Sequence, residues 1–519
     1  MKKKIFRVLL TAIIAIFMFL ASCAETAPTT TSTPVEHTPT ASVAPTATAT
    51  LTTTPTIPAA LLFPIDNFTV QTKTVTTSTG NKTVTYRFWE HITYVANPVD
   101  AKYESMNIYV PINVNGVNID ATNAPIFLNL TSGGYRSAIA GAGRPPGAPL
   151  PPGFDATPNP NADLALAAGY VEVWPGCRGE DNKAADGTFF GKAPADIVDL
   201  KCAVRYLHLN DSMMPGNANW IIASGTSASG ALSALLGVSG NTHLYDAYIK
   251  ALGGADADDT IYAAAPYCPV MDLEHADMAY EWIWGNTPQS SGLVDQTLSY
   301  QLKDAFAVYQ ASLNLQGKNG FGTITAANYA DYLLQNYIIP SANKYLSALN
   351  DADRASYLSK NPWLGWVNNK ASFDFVAYVS HVGRMKGLPA FDDLKLANPE
   401  NILFGNATTD ARHFTNFSLR NATGNSNAEI DSDVKTLVNL MNPMYFISQK
   451  NSDIAKYWFI RFGSSDPHTS PTVAINLATS LENLNKNVNT SLYWDALHSA
   501  NQDPDVFIAW IATITGYTK

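Results

Sequence analysis

Polar and apolar positions alternate with a period of two in the first folded stretch of the chain, then give way to unbroken apolar runs. Residues 69–77 and 83–94 alternate β-formers on either side of Thr79-Gly80-Asn81, a pattern that predicts a hairpin. Met106, Ile108 and Val110 alternate within 105–111, as in a strand with one buried face. From 125 to 130 almost every residue is apolar, which marks a strand covered on both faces, the habit of parallel sheets. A small-residue helix at 162–168, a strand at 170–174, a helix at about 194–209 and a strand at 220–224 follow. Near the C-terminus come strands at 457–462 and 488–494 and a closing helix at about 504–514. Strand and helix alternate, so the fold class is α/β with a mostly parallel sheet flanked by helices.

The N-terminus follows a different rule. Lys2, Lys3, Lys4 and Arg7 precede an apolar run at 8–20, which predicts a secretory signal over residues 1–22. The run is shorter than the roughly 20 residues that a membrane-crossing helix requires. It ends in Leu20-Ala21-Ser22-Cys23, which resembles a bacterial lipobox. That resemblance implies cleavage before Cys23, lipidation of its sulfur, and a protein anchored by lipid in the bacterial cell envelope, facing away from the cytoplasm. An ordinary signal peptide with an incidental cysteine is the alternative. Residues 23–60 then form a linker of Thr, Pro, Ala and Ser with too few large apolar side chains to fold. Pro and Thr stiffen it into a tether reaching about 3 Å per residue when extended.

Charge and cysteine usage narrow the partners. With 33 Lys+Arg against 43 Asp+Glu the net charge is -10, and four of the cations sit in the export segment. No basic stripe offsets phosphate repulsion, so a nucleic-acid partner is not expected. Four cysteines exclude a disulfide-dense scaffold and a thiolate zinc module. Cys177 and Cys202 are candidates for pairing, with Cys268 left alone.

Ligands of such sheets sit beyond the carboxyl ends of the strands. The strand at 220–224 ends in Gly225-Thr226-Ser227-Ala228-Ser229-Gly230, and an Ala/Leu-rich helix follows at 231–236. A serine on so abrupt a turn is forced into a strained conformation, and the turn closes only around small neighbours. Gly225 and Ser229 meet that demand, although Ser229 stands where G-x-S-x-G has its second glycine. Ser227 is thus the candidate nucleophile; a turn without chemistry is the bland alternative. The Ala228 amide, at the positive end of the helix, and an amide of Gly133 or Gly134, after the 125–130 strand, are the candidate oxyanion donors.

A serine nucleophile needs a base, and the base an orienting acid. The 457–462 strand leads into Gly463-Ser464-Ser465-Asp466-Pro467-His468, and the 488–494 strand into Asp495-Ala496-Leu497-His498. Asp466 and His498 therefore lie after strands of the parallel series, at the face that carries Ser227. Asp495 and His468 are the competing acid and base. Between Cys268 and Asn442 the alternation stops, and helix formers with Trp282, Trp284, Trp363 and Trp366 take over. An insertion there hangs over the active face, so 271–441 reads as a mainly helical lid, with 61–270 and 442–519 as the two parts of the core.

These residues, together with Gly191-Lys192-Ala193-Pro194, Pro266-Tyr267-Cys268-Pro269, Ala276-Asp277-Met278-Ala279-Tyr280-Glu281-Trp282, Asn398-Pro399-Glu400-Asn401 and Asn442-Pro443-Met444, make a chain that resembles the bacterial tannases (tannin acylhydrolases) from about residue 65 to its end. The resemblance implies an α/β-hydrolase fold with a large lid, a triad of Ser227, Asp466 and His498, and hydrolysis of phenolic, galloyl esters. It also implies that Lys386 and Glu400 hold the ring hydroxyls, with a third contact at His468, where the family has Asp. A neutral imidazole accepts one hydrogen bond but loses the negative charge, which leaves a feruloyl-type or general carboxylesterase open. An inactive polyphenol-binding surface domain is the rival from another class. Thr226 and Leu497 stand where fungal tannases carry disulfide-linked cysteines. The expected partner is a small phenolic ester, with no metal or organic cofactor, the membrane reached only through the lipid, and a monomeric state.

Overall fold

In the computed structural model, which describes residues 57–142 and 150–519, the alternating first stretch forms two long antiparallel strands, β1 (Thr69–Thr77) and β2 (Gly80–Thr93). The signal segment, Cys23 and the linker up to residue 56 lie outside the described residues. The strands β3 (Ser105–Val114) and β4 (Val117–Asn118) follow, and then the apolar run, β5 (Pro125–Asn129), whose first four residues are buried. The series continues with β6 (Val171–Pro175), β7 (Asn217–Thr226), β8 (Ala263–Tyr267), β9 (Tyr457–Gly463) and β10 (Asn487–Tyr493). They form one sheet in the order β1-β2-β3-β6-β5-β7-β8-β9-β10, with β4 paired to β3. From β6 onward every neighbouring pair is parallel.

Successive residues of the parallel strands serve opposite faces, as the period of two demands. Phe127, Ile222 and Phe459 pack on one side with α1 (Asn161–Ala167) and the closing helix, through Ala162, Ala165, Phe507 and Trp510. Ile126, Leu128, Ile221 and Ala223 face the other side with α2 (Ala195–Leu209) and α3 (Ala228–Val238). The short α4 (Asp246–Ala251) precedes β8.

Between β8 and β9 the chain adds no strand to this sheet. It forms α5 (Leu273–Trp284), α6 (Gln296–Leu313), α7 (Tyr329–Leu333), α8 (Ile339–Ala348), α9 (Asp351–Lys360), α10 (Phe375–Val382), α11 (Pro399–Leu403), α12 (Asn416–Thr423), α13 (Ser432–Leu440) and α14 (Pro443–Gln449), with two short hairpins. Both ends of this insertion are tied at one carboxylate: Asp272 accepts from His275 Nδ1 at 2.7 Å and from Asn442 Nδ2 at 2.9 Å. Then α15 (Pro471–Asn483) links β9 to β10, and α16 (Pro504–Thr515) closes the chain.

Cys177 and Cys202 do not pair: both are buried free thiols, as is Cys268. The Ala-rich stretch that forms β8 carries no strand signal of its own, having few β-branched or aromatic residues; its place between β7 and β9 makes it a strand. No described helix is long and apolar enough to cross a membrane.

Candidate active site

The turn after β7 is as strained as its sequence demands. Ser227 takes φ 63° and ψ −122°, a region that costs a side chain about 1–3 kcal/mol and persists only where the surroundings impose it. They do so through hydrogen bonds to the end of β8 and to the loop after it: the Ser227 amide donates to the Tyr267 carbonyl at 3.0 Å, and the Ser227 carbonyl accepts from the Val270 amide at 3.2 Å. The departure from G-x-S-x-G is also explained. A Cβ on Gly225 would stand 2.5 Å from the Ser229 carbonyl oxygen, and one on Gly230 would stand 2.6 Å from that of Tyr267. The second close approach thus falls on Gly230, and Ser229 has room to donate its hydroxyl to the Ser132 carbonyl at 2.6 Å.

That bond fastens the elbow to the Gly133–Tyr135 turn, in which Gly134 takes φ 63°. The Ala228 amide opens α3 and the Gly133 and Gly134 amides open this turn; first-turn amides have no partner within their own helix. The three nominated oxyanion donors therefore belong to two adjoining segments. Tyr135 locks the second segment to the loop after β8 by donating to the Val270 carbonyl at 2.7 Å.

Asp466 and His498 meet at the ends of β9 and β10, with His498 Nδ1 to Asp466 Oδ2 at 2.7 Å and both residues buried. The backbone of His498 is clamped as well: its amide donates to the Gly153 carbonyl at 2.9 Å and its carbonyl accepts from the Asp155 amide at 2.6 Å. His498 Nε2 is buried without a hydrogen-bond partner, and no hydrogen bond joins it to Ser227 in the free protein. Such contacts commonly tighten only when substrate is bound. The competitors are engaged elsewhere. Asp495 accepts from Ser465 Oγ and His381 Nε2, each at 2.8 Å, and from Tyr357 Oη at 2.9 Å, while His468 Nε2 bonds the Pro152 carbonyl at 2.8 Å.

Cys268 Sγ, Asp466 and His498 place one ligand-type atom each within 4.8 Å of one another. Burial, reinforced by the Asp466 charge, pushes the Cys268 thiol far above its ordinary range. The thiol keeps its proton, and the carboxylate already has the imidazole as partner, so the cluster suits its own protons better than a cation.

Lys386 and Glu400 come from the insertion and reach the same region. Burial pushes the Lys386 ammonium down against the opposing charges of Glu400, Asp277 and Asp466, and it pushes the Glu400 carboxyl up against Lys386. Desolvation outweighs attraction in both. The Lys386 ammonium rests 3.6 Å from the centroid of the Phe391 ring. His468 is pushed down to about 4, mainly by burial and next by His498, so it is neutral at neutral pH.

Two residues here have no role assigned from the sequence, although Tyr280 lies in one of the family-like stretches. Phe154 sets its ring edge-on to His468 and His498, at 4.7 Å from each, and walls the base from solvent. Tyr280 bridges the Lys386 loop and the Asp466 turn. Neither lies in a catalytic spacing pattern.

Residues 188–315 match the family model described as BD-FAE. A stretch of 88 residues is 36% identical to Esterase LipQ of Mycobacterium tuberculosis, which is 17% of this chain and 20% of that one. Much longer matches come from solved structures. Tannase of Fusobacterium nucleatum is 35% identical over 88% of this chain and 99% of its own, with a TM-score of 0.74. Native tannin acyl hydrolase of Lactobacillus plantarum is 34% identical over 88% of this chain and 98% of its own, also at 0.74. A tannin acyl hydrolase in complex with ethyl gallate is 34% identical over the same shares, at 0.76.

Proposed function

The chain belongs to the bacterial tannase family and is a carboxylic ester hydrolase for small-molecule esters, and from that footing we propose that it cleaves phenolic esters, galloyl esters foremost, through an acyl-Ser227 intermediate. The observation that carries this reading is the buried Asp466–His498 pair with a free Nε2, two and three strands along the sheet from a serine held at φ 63°. His498 Nε2 takes the Ser227 proton as Oγ attacks the ester carbonyl, and Asp466 holds the imidazole by its Nδ1 proton and stabilises the imidazolium. The amide of Ala228 with that of Gly133 or Gly134 receives the oxyanion. His498 then protonates the leaving alcohol, and water, deprotonated by the same nitrogen, releases the acid. On the acyl side, Lys386 donates to the ring hydroxyls and Glu400 accepts from them, a pairing that suits a polyphenol.

A second reading is favoured by His468. A neutral ring there, with its Nε2 committed to Pro152, supplies less negative charge than a carboxylate and suits a ring with fewer hydroxyls, such as a hydroxycinnamate. Turnover of methyl gallate, methyl ferulate and p-nitrophenyl acetate by wild type and Ser227→Ala decides between them. Gallate leading, with all three lost in the variant, is the expected result. Equal turnover in the variant overturns the serine mechanism, and ferulate leading selects the second reading.

We further propose export and lipid anchoring at Cys23, supported by the basic cap, the apolar run and Leu20-Ala21-Ser22-Cys23. Cys23→Ala is expected to move the protein from the membrane fraction to the soluble one on cell fractionation; retention in the membrane fraction overturns the anchor.

A further inference from the structure

The loop that carries Lys386 has no free backbone polar group at its centre. The Met385 and Lys386 amides both donate to the Tyr280 hydroxyl, at 3.3 and 2.9 Å. Their carbonyls accept from Gln289 Nε2 at 2.8 Å each, and that of Lys386 also from Arg384 Nε at 2.9 Å. Both lone pairs of the phenol are thereby used, and its one proton remains. That proton goes to the Pro467 carbonyl at 3.0 Å, and Pro467 stands between Asp466 and His468. Tyr280 itself is fully buried on α5, with its ring edge-on to Phe391, the same ring over which the Lys386 ammonium rests.

A single hydroxyl thus joins a segment of the insertion to the turn of the sheet core that holds the acid. We infer that Tyr280 is a positioning residue for both halves of the site, setting Lys386 against the substrate ring and Asp466 against His498. The inference rests on the roles given above to Lys386 and Asp466. Two neighbours serve only one half. Gln289 holds the Lys386 loop without touching the acid turn, and the amide of His468, which donates to Asp466 Oδ1 at 2.8 Å, steadies the acid turn without touching the loop. Of the three, the phenol alone does both, and a phenylalanine would fill its place with the same ring and no hydroxyl.

The experiment compares Tyr280→Phe, Gln289→Ala and Lys386→Met with wild type on methyl gallate and on p-nitrophenyl acetate, which offers no ring hydroxyls in its acyl group. Tyr280→Phe is expected to raise KM for methyl gallate about tenfold and to lower kcat on both esters about tenfold, the size of one lost buried hydrogen bond at each end. Gln289→Ala is expected to raise the gallate KM and leave kcat on the acetate unchanged. A Tyr280→Phe enzyme with a lowered thermal midpoint but wild-type kcat on both esters overturns the inference, since the hydroxyl would then serve stability alone. Identical kinetic changes in Tyr280→Phe and Gln289→Ala overturn the bridge to the acid. A gallate KM unmoved in Lys386→Met overturns the ring-binding role of Lys386 itself, and is told apart by its independence of Tyr280.

Discussion

The sheet core and the helical insertion supply the two halves of the site by different means. In the core, Ser227, Asp466 and His498 follow the ends of β7, β9 and β10, parallel strands on one side of the sheet, so the sheet itself delivers them to a common edge. In the insertion no sheet delivers Lys386, which lies on a loop, or Glu400, which lies on the short helix α11. The segments around them are fixed by buried polar side chains: Arg384 on Glu281 at 2.5 and 2.9 Å, and Asp392, which accepts from His413 at 2.8 Å, Asn401 at 2.7 Å and Thr415. Backbone ladders persist when a side chain changes. Networks of charged side chains do not, because removing one partner strands the other in a low dielectric.

This contrast predicts opposite outcomes for single substitutions. In the core, Ser227→Ala is expected to lower kcat about 10⁴-fold or more while leaving the unfolding transition in place, since on the proposed mechanism the hydroxyl carries the chemistry while the sheet carries the fold. A matching loss of stability, seen by thermal denaturation monitored by circular dichroism, would mean that the turn is held by that side chain instead. In the insertion, Arg384→Met is expected to cost about 3–5 kcal/mol, because both residues of the pair are buried and Glu281 is left without its partner. Arg384→Met combined with Glu281→Leu is expected to recover most of that loss in urea denaturation. A neutral single variant would show that the insertion, like the core, is held by its backbone.

The same contrast sets how much of the molecule its sequence discloses. The eight strands read from alternation and apolar runs all appear, and Ser227, Asp466 and His498 fall just past strand ends, where a residue needs no long-range information to be placed. β8 escaped because alanines fit a strand only when neighbours on both sides pair with them. Lys386 and Glu400 were reachable only through family resemblance; their partners Tyr280, Glu281 and Gln289 lie about a hundred residues before the Lys386 loop, and no local pattern announces such a pairing. Phe154 was hidden for the same reason, its role set by His468 and His498 more than three hundred residues onward.

His468 stands where the two regions meet, and the smallest effect is expected there. Its ring sits on the core's acid turn, faces His498, Asp466 and Phe154, and also feels Lys386 of the insertion. Its pKa falls from 6.5 to about 4 on folding, so between those values the unfolded chain binds a proton that the folded chain refuses. Stability then rises with pH across that window and is lost as pH falls from about 6.5 toward 4. His468→Gln removes this share of the slope, so the variant is expected to lose less of its thermal midpoint than wild type when pH is lowered from neutral into that window. Equal losses would mean that the ring titrates normally and is not the neutral wall described above. Lys386→Met separates the contributions, because burial and His498 depress the imidazole more than Lys386 does. The shift should therefore survive the loss of Lys386, and a Lys386→Met enzyme whose pH slope matches that of His468→Gln would assign it to the insertion.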